Sequence, residues 1–351
     1  MSVPTPSPLF TPLKVGAFSL AHRVVMPALR RHRADAPDGV PNLLMTQHYA
    51  QRATRGGLIV TETSWCHAKG HVDGREPGLY APEQVNAWRT VTRAARARGA
   101  VVLAQLGDPA LQGAGLSSVD IDGILRRFRD AAEGAGDAGF DGVELLGAVP
   151  VWTADGGSPD ADRIRLLVDV VLTLASVWPN DCVALRLAAP PEAVWRRHPE
   201  ALVSLGVAVS AAFAAGVAYV HVGPAWPPRG HGDIESVAHV LPALRAVARP
   251  AGSALVVSGG IDGTVAETLL SAGDVDAVAF GRAFMTNPDL PWRLHCGAPL
   301  APPAAGDDGG LGASGYLDHP MSDHVPANVR PEDAMPEALR CDAGPWLPGL
   351  R

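Results

Sequence analysis

The sequence of 351 residues contains only four cysteines, and no two of them form a C-x-x-C pair. Cys66, Cys182, Cys296 and Cys341 lie far apart along the chain. This spacing argues against zinc and iron–sulfur sites that are built on local cysteine motifs. Isolated thiols also fit a reducing cytoplasm better than a disulfide framework. We therefore expect a cytoplasmic protein without a bound metal.

Long apolar runs and an excess of positive charge are missing as well. No uncharged apolar run reaches about 18 residues, so no transmembrane helix is expected. The first ten residues, MSVPTPSPLF, lack the basic and apolar regions of a signal peptide. The net charge of −7 predicts no general affinity for nucleic acid or for anionic membranes. A small molecule is thus the expected partner, and a homo-oligomer is compatible with these features.

Lysine is rare, since Lys14 and Lys69 are the only two, whereas arginine, alanine, glycine and valine are abundant. This bias is typical of a GC-rich genome. It favours a compositional explanation for the many arginines over a surface selected for function.

Apolar strand-like runs alternate with helix-like segments through most of the chain. Eight strands are predicted at residues 23–29, 57–64, 100–107, 140–148, 182–189, 217–225, 253–261 and 276–285. Strands that are apolar throughout indicate a parallel sheet covered by helices, and eight units favour a closed barrel over an open Rossmann sheet. We predict an α/β fold with one (β/α)8 TIM barrel over residues 1–300. An extended C-terminal tail over 301–351, rich in Pro, Gly and Asp, is expected to pack on the barrel or to be partly disordered.

The clearest chemical signal lies at the ends of the last two predicted strands. Gly259 and Gly260 precede a helix N-terminus in SGGID, and Gly281 with Arg282 follows the next strand in FGRAF. Glycine amides, a helix dipole and an arginine together form an anion site, and such barrels often bind a phosphate here. The alternative is a tight turn at the glycines and a surface ion pair at Arg282.

Two polar residues inside apolar strands indicate what carries the phosphate. Arg186 needs a partner, because burying an unpaired charge is costly. A flavin supplies one, since its reduced N1–C2=O edge accumulates negative charge. Gln105 offers both a donor and an acceptor, which matches the N3–H and carbonyl pattern of a flavin. Together with the anion site, these residues predict a bound flavin that carries a phosphate.

Several longer segments resemble the old yellow enzymes, the FMN-dependent ene-reductases, over nearly the whole barrel. The matching segments are 9–29, 48–64, 77–88, 138–148, 217–222, 258–262, 275–294 and 312–320. The resemblance implies FMN, with NADPH or NADH as reductant, and an aromatic residue near the flavin or substrate at Tyr316. The flavin contacts that it implies come from Pro27, Ala28, Leu29, Thr63, Gln105, Arg186, Gly259, Gly260, Gly281 and Arg282.

The catalytic positions of the family are replaced in this sequence. The family's strand-four motif carries a His and then an Asn, or a second His, which donate hydrogen bonds to the substrate carbonyl; we call this pair the substrate clamp. Here these positions hold Leu146 and Val149, and the tyrosine proton donor is Val151. The Thr or Cys that contacts the flavin C4 carbonyl is Arg30. The family's Trp-His after the strand-three glutamine is Gly107–Asp108, and the short connection that follows indicates trimmed substrate loops.

Without the substrate clamp, ordinary enone reduction loses several kcal/mol of transition-state stabilisation. We therefore expect an atypical FMN-dependent oxidoreductase that acts on a small organic substrate in a tailoring step of specialised metabolism. The candidate replacement groups are Arg30, Asp108, His67 and His71, although an arginine turned to solvent and plain loop histidines are the alternatives. The substrate pocket is expected to include Leu146, Val149, Val151, Trp152, Trp226 and Tyr316, with Trp65 as a further aromatic wall.

Two other classes of function stay open. The first is a non-redox isomerase or cyclase in which FMN is structural. The second is a non-catalytic flavin-binding relative that retains only the scaffold.

Overall fold

In the computed structural model of this chain, the described residues are 7–70, 74–112, 120–147, 161–224, 240–247, 249–250, 252–302 and 312–322. The strands are β1 (Leu13–Val15), β2 (Phe18–Leu20), β3 (Val24–Met26), β4 (Leu58–Val60), β5 (Ser64–Trp65), β6 (Val101–Gly107), β7 (Gly142–Gly147), β8 (Val183–Ala189), β9 (Tyr219–Pro224), β10 (Ala254–Ser258) and β11 (Ala277–Ala279). Eight of them pair in parallel in the order β4-β3-β11-β10-β9-β8-β7-β6, and β4 pairs with β6 to close the ring. The predicted (β/α)8 barrel is confirmed.

Helices alternate with these strands and cover the outside of the barrel. They are α1 (Leu43–Arg52), α2 (Pro82–Arg96), α3 (Ile121–Asp137), α4 (Ala161–Ala175), α5 (Glu192–Trp195), α6 (Glu200–Ala214), α7 (Leu241–Arg245), α8 (Gly263–Ser271), α9 (Gly281–Thr286) and α10 (Leu290–Cys296). Three begin at side-chain caps, in which Asn42, Asp120 and Asp262 each accept a hydrogen bond from the backbone of the first helical turn. Of the described helices, none is both long and apolar enough to cross a membrane.

Buried apolar residues form two clusters, one between the sheet and the helices and one inside the barrel. Val24 and Met26 face the helix layer, whereas Val25 between them belongs to the second cluster, inside the barrel. Phe18 of the β1–β2 hairpin packs in this inner cluster, and the hairpin backbone bonds to Asp181 and Gly252, just before β8 and β10. The hairpin therefore covers the N-terminal end. The C-terminal ends of the eight strands, which we call the barrel mouth, form the side on which such folds build sites.

Two predicted strands differ from the structure in extent. The predicted strand at 276–285 is wrong beyond Ala279, because Gly281–Thr286 forms a helix. A short continuous apolar run cannot distinguish a buried strand from a buried helix, and this run contains both. The predicted strand at 57–64 is interrupted, with β4 closing the barrel and β5 adding two residues beside the end of β6.

Part of the predicted tail, residues 312–322, lies against α1 and α10. Arg31 Nη2 donates to the carbonyl of Gly315 at 2.7 Å. Arg293 Nη2 donates to the carbonyl of Pro320 at 2.7 Å. Tyr316 stacks on His48 of α1 with ring centroids 4.0 Å apart. These contacts fix this segment on the barrel wall.

Candidate active site

A chain of hydrogen bonds connects four buried side chains inside the barrel. Thr63 Oγ1 donates to Gln105 Oε1 at 2.6 Å, and Gln105 Nε2 donates to Glu144 Oε1 at 2.7 Å. Tyr219 OH donates to the other carboxylate oxygen of Glu144 at 2.7 Å. The strand register places Gln105 beside Glu144, so the hydrogen bond between these two residues joins neighbouring strands. The structure thus brings together two residues of the predicted flavin site, Thr63 and Gln105, and orients the Gln105 amide.

Glu144 also provides the charge that faces Arg186. Burial raises the pKa of Glu144, while the hydroxyl of Tyr219 and the charge of Arg186 oppose that rise. Desolvation lowers the pKa of Arg186, and Glu144 opposes this change. The pKa of His221, whose Nδ1 lies 3.9 Å from Glu144, is held well below its ordinary value by burial and by Arg186. A neutral histidine therefore leaves Glu144 and Arg186 as the opposite charges of this region.

The guanidinium of Arg186 lies close to the first strand of the barrel. Among the described residues it forms one hydrogen bond, a long one from Nη1 to the carbonyl of Ala28 at 3.5 Å. Pro27 and Ala28 are buried, and Leu29 is half-buried. The predicted neighbours of a flavin ring, Arg186 and the Pro27–Leu29 backbone, are therefore adjacent, and Arg186 retains N–H donors for a ligand.

The predicted phosphate end forms a cavity of about 570 Å³. It is lined by Gly260, Gly281 and Arg282 together with neighbouring residues of α8, α9 and the segment after α10. Gly259 and Gly260 have φ angles of +134° and +69°, a backbone conformation that other residues rarely adopt. A Cβ atom at Gly281 would lie 3.2 Å from Leu29 Cδ2, so a side chain there would press against Leu29. These features fit the phosphate of FMN, and the donors of Arg186 fit its ring.

Arg30 follows the first barrel strand and rests on an aromatic ring. Its Cζ atom lies 5.5 Å from the ring centroid of Trp65. Desolvation lowers the pKa of Arg30, and the charges of Glu76 and Glu62 oppose that shift. Arg30 also lowers the pKa of Arg186, so the two guanidinium groups act on the same region. The side chain of Arg30 is therefore not turned fully to solvent, as the alternative would require.

The other candidate residues are distributed as follows. Asp108 is 1% exposed, its Oδ2 lies 2.6 Å from Arg127 Nε, and its Oδ1 accepts from the backbone of Ala110. Both oxygens are thus engaged away from a substrate. His67 lies in the loop after β5, where its Nδ1 accepts from the backbone of Lys69 at 3.0 Å. Five predicted residues lie outside the described part of the chain: His71, Val149, Val151, Trp152 and Trp226.

Leu146 and Tyr316 are the two described members of the predicted pocket wall. Leu146 is half-buried near the end of β7, and its partner on β8 is Arg186. The backbone register therefore places a leucine next to Arg186 on the neighbouring strand. Tyr316 is fully buried between His48 and the guanidinium groups of Arg31 and Arg33. Its side chain therefore has no exposed surface in this structure.

Sequence reasoning did not name Glu62, Glu144 or Tyr219 as site residues. Glu144 is a lone acid in an apolar strand, the same signal that identified Arg186, and it could have been found that way. Glu62 is buried beside Thr63, and burial raises its pKa to about 7. Tyr219 looks like an ordinary aromatic strand residue, and its bond to Glu144 spans 75 positions, so no local pattern indicates it.

Comparison with known proteins agrees with this geometry. Residues 8–112 match the model of the NADH:flavin oxidoreductase / NADH oxidase family. The chain is 31% identical to a 12-oxophytodienoate reductase-like protein of Solanum lycopersicum, over 84% of this chain and 90% of the relative. The old yellow enzyme homologue of Zymomonas mobilis superposes with a TM-score of 0.77 at 28% identity, covering 90% of this chain and 99% of the other. Morphinone reductase in complex with tetrahydroNAD gives 0.76 at 28% identity, covering 91% and 98%.

Proposed function

We propose an atypical substrate step for this chain, which belongs to the NADH:flavin oxidoreductase / NADH oxidase family of the old yellow enzymes and is an FMN-dependent oxidoreductase. The observation that carries the proposal is Leu146, which lies beside Arg186 at the barrel mouth. The resemblance assigns that position to a histidine of the substrate clamp. Leucine cannot donate a hydrogen bond, so a neutral enone loses the polarisation that the family gives it.

The chain's own residues would hold FMN in the following way. Gly259, Gly260, Gly281 and Arg282 would bind the phosphate, and the backbone of Pro27, Ala28 and Leu29 would lie along the ring. Gln105 would bind the pyrimidine edge in the orientation that Thr63 and Glu144 impose on its amide. Arg186 would place its positive charge beside N1. Bound FMN supplies hydride transfer at its N5 atom, with NADPH or NADH as the proposed reductant.

Arg30 is the proposed replacement for the lost hydrogen-bond donors. A guanidinium offers five N–H groups and a permanent charge. It would stabilise negative charge on a substrate oxygen during reduction. His67 and His71 remain proposed proton donors from the loop after β5. We leave Asp108 out of this group, because Arg127 and the backbone of Ala110 occupy its oxygens.

The proposed substrate is a small organic molecule, and the proposed reaction is a tailoring step of specialised metabolism. Two observations support it, the altered catalytic wall and the arginine-rich, lysine-poor composition. Ordinary reduction of activated enones is not the proposed reaction.

Anaerobic stopped-flow spectroscopy of the purified protein tests this function. We expect heating to release one FMN per chain, NADPH or NADH to bleach the flavin, and 2-cyclohexenone to reoxidise it slowly. Flavin that no nicotinamide bleaches would support the non-redox isomerase or cyclase instead. A colourless protein that takes up no added FMN would contradict the flavin enzyme itself. Rapid reoxidation by the enone would contradict the atypical substrate step.

A further inference from the structure

The guanidinium of Arg30 has donors that the described part of the chain does not use. It lies over the ring of Trp65, with Cζ 5.5 Å from the centroid, and the residue is only partly exposed. Within the described residues it forms no hydrogen bond and no ion pair. No described residue therefore occupies its five N–H groups, which can donate to a ligand at the barrel mouth.

Trp65 gives this arginine a fixed support. The ring is 3% exposed, and the backbone of Trp65 bonds to Pro77 and Leu79 at 2.9 Å each. A Cβ atom at Gly70 would overlap the ring. One at Gly107 would lie 3.2 Å from it and 2.7 Å from Thr63 Cγ2. The resemblance assigns position 107 to a tryptophan, so Trp65 fills space that a side chain there would need. Gly107 and Arg30 both depart from the family's residues, and the ring of Trp65 lies next to both of them.

Among the described residues, no carboxylate compensates the charge of Arg30 at short range. Glu62 attracts it, but the carboxylate of Glu62 is bound by the backbone N–H of Arg31 at 3.1 Å and lies close to the Tyr49 hydroxyl at 3.4 Å. Glu76 attracts it too, and its Oε1 lies 3.7 Å from His32 Nδ1. Neither carboxylate forms an ion pair with Arg30. The second guanidinium, Arg186, adds positive potential from β8.

We infer that Arg30, supported by Trp65, is a carboxylate-binding subsite, and that the substrate is a small organic acid whose apolar body lies against Leu146. A planar guanidinium stacked on an aromatic ring is weakly hydrated, and its fork matches the two oxygens of a carboxylate. Leu146 supplies no donor for a neutral carbonyl. This inference rests on the proposed function, because it names the substrate class of the same site.

Calorimetric titration of the FMN-loaded protein with benzoate and with benzamide, its neutral analogue of similar shape, tests the subsite. Benzoate is expected to bind at least about tenfold more tightly than benzamide, the effect of a charge-assisted hydrogen bond. Arg30→Gln is expected to remove this preference, and Arg30→Lys to retain part of it. The matched control is Arg129→Gln, which removes an exposed arginine from α3 and is expected to leave the preference unchanged.

Three results would overturn the subsite. They are equal affinity for the two probes, a benzoate preference that persists in a folded, FMN-loaded Arg30→Gln protein, and no benzoate binding up to its solubility limit. If Arg30 contacts only the flavin, its replacement shifts the flavin spectrum without changing benzoate affinity, which is the second of these results. Failure of the proposed function looks different, since NADPH and NADH would not bleach a protein that still prefers benzoate through Arg30.

Discussion

Replacing Glu62 with glutamine is expected to stabilise the protein progressively as the pH rises from 5 to 8. The Glu62 side chain is 1% exposed, and burial raises its pKa from 4.5 to about 7, although hydrogen bonds from Arg31 and Tyr49 oppose the rise. Between these two values the unfolded chain has lost the proton that the folded chain keeps. Folding then takes up a proton, so wild-type stability falls with rising pH until the folded carboxyl has ionised at about 7.

The size of this effect follows from the span between the two pKa values. About 2.5 pH units at about 1.4 kcal/mol per unit give a loss of about 3 kcal/mol in the free energy of unfolding. Glutamine has a similar shape and does not titrate, so it avoids this loss. Part of this loss occurs below pH 5, so the stability of Glu62→Gln relative to wild type should increase by about 2.5 kcal/mol between pH 5 and pH 8.

Urea unfolding of both proteins at pH 5, 6, 7 and 8, with saturating FMN, measures this difference. The contribution of all other titrating groups cancels when the variant is compared with wild type at each pH. Glu133→Gln, which neutralises an exposed carboxylate on α3, is the control and should show little dependence on pH. A constant difference between Glu62→Gln and wild type from pH 5 to 8 would refute the reasoning.

Three further substitutions test the site's geometry. Gly260→Ala forces a side chain into a φ of +69° and should weaken FMN binding at least about tenfold by fluorescence titration; unchanged affinity would argue against this turn as the phosphate site. Arg127→Met leaves the buried Asp108 unpaired and should cost about 2 kcal/mol in urea unfolding, and an unchanged midpoint would show that the ion pair contributes nothing. Tyr219→Phe removes a donor to Glu144 and should cost about 1 kcal/mol, whereas increased stability would contradict that bond.

The barrel was readable from the sequence because its strands are apolar on both faces and its helices have clear starts and ends. Asp262, for example, marks the beginning of α8 as a polar cap after two glycines. The end of β11 was not readable, because the apolar run continues from Ala279 into Phe280 and then into the helix that begins at Gly281. Periodicity carries no information where strand and helix are both buried.

Site residues could be predicted where the residue type is unusual for the surrounding sequence. Arg186 stands out in an apolar strand, and the paired glycines at 259 and 260 stand out at a strand end. The partners of these residues were not readable, because they depend on contacts between distant segments. Asp108 and Arg127 are 19 positions apart and meet only when α3 packs on the barrel. The packing of Trp65 beside Gly107 likewise requires the two strands to be adjacent.

Restoring the substrate clamp tests the central claim most directly. Leu146→His combined with Val149→Asn returns the family's two donors, and the rate at which 2-cyclohexenone reoxidises the NADPH-reduced protein is the measured quantity. We predict slow reoxidation in wild type and a rate at least about 100-fold higher in the double variant, the contribution of a preorganised donor. A wild-type protein that reduces the enone as fast as a folded, FMN-loaded double variant would contradict the account.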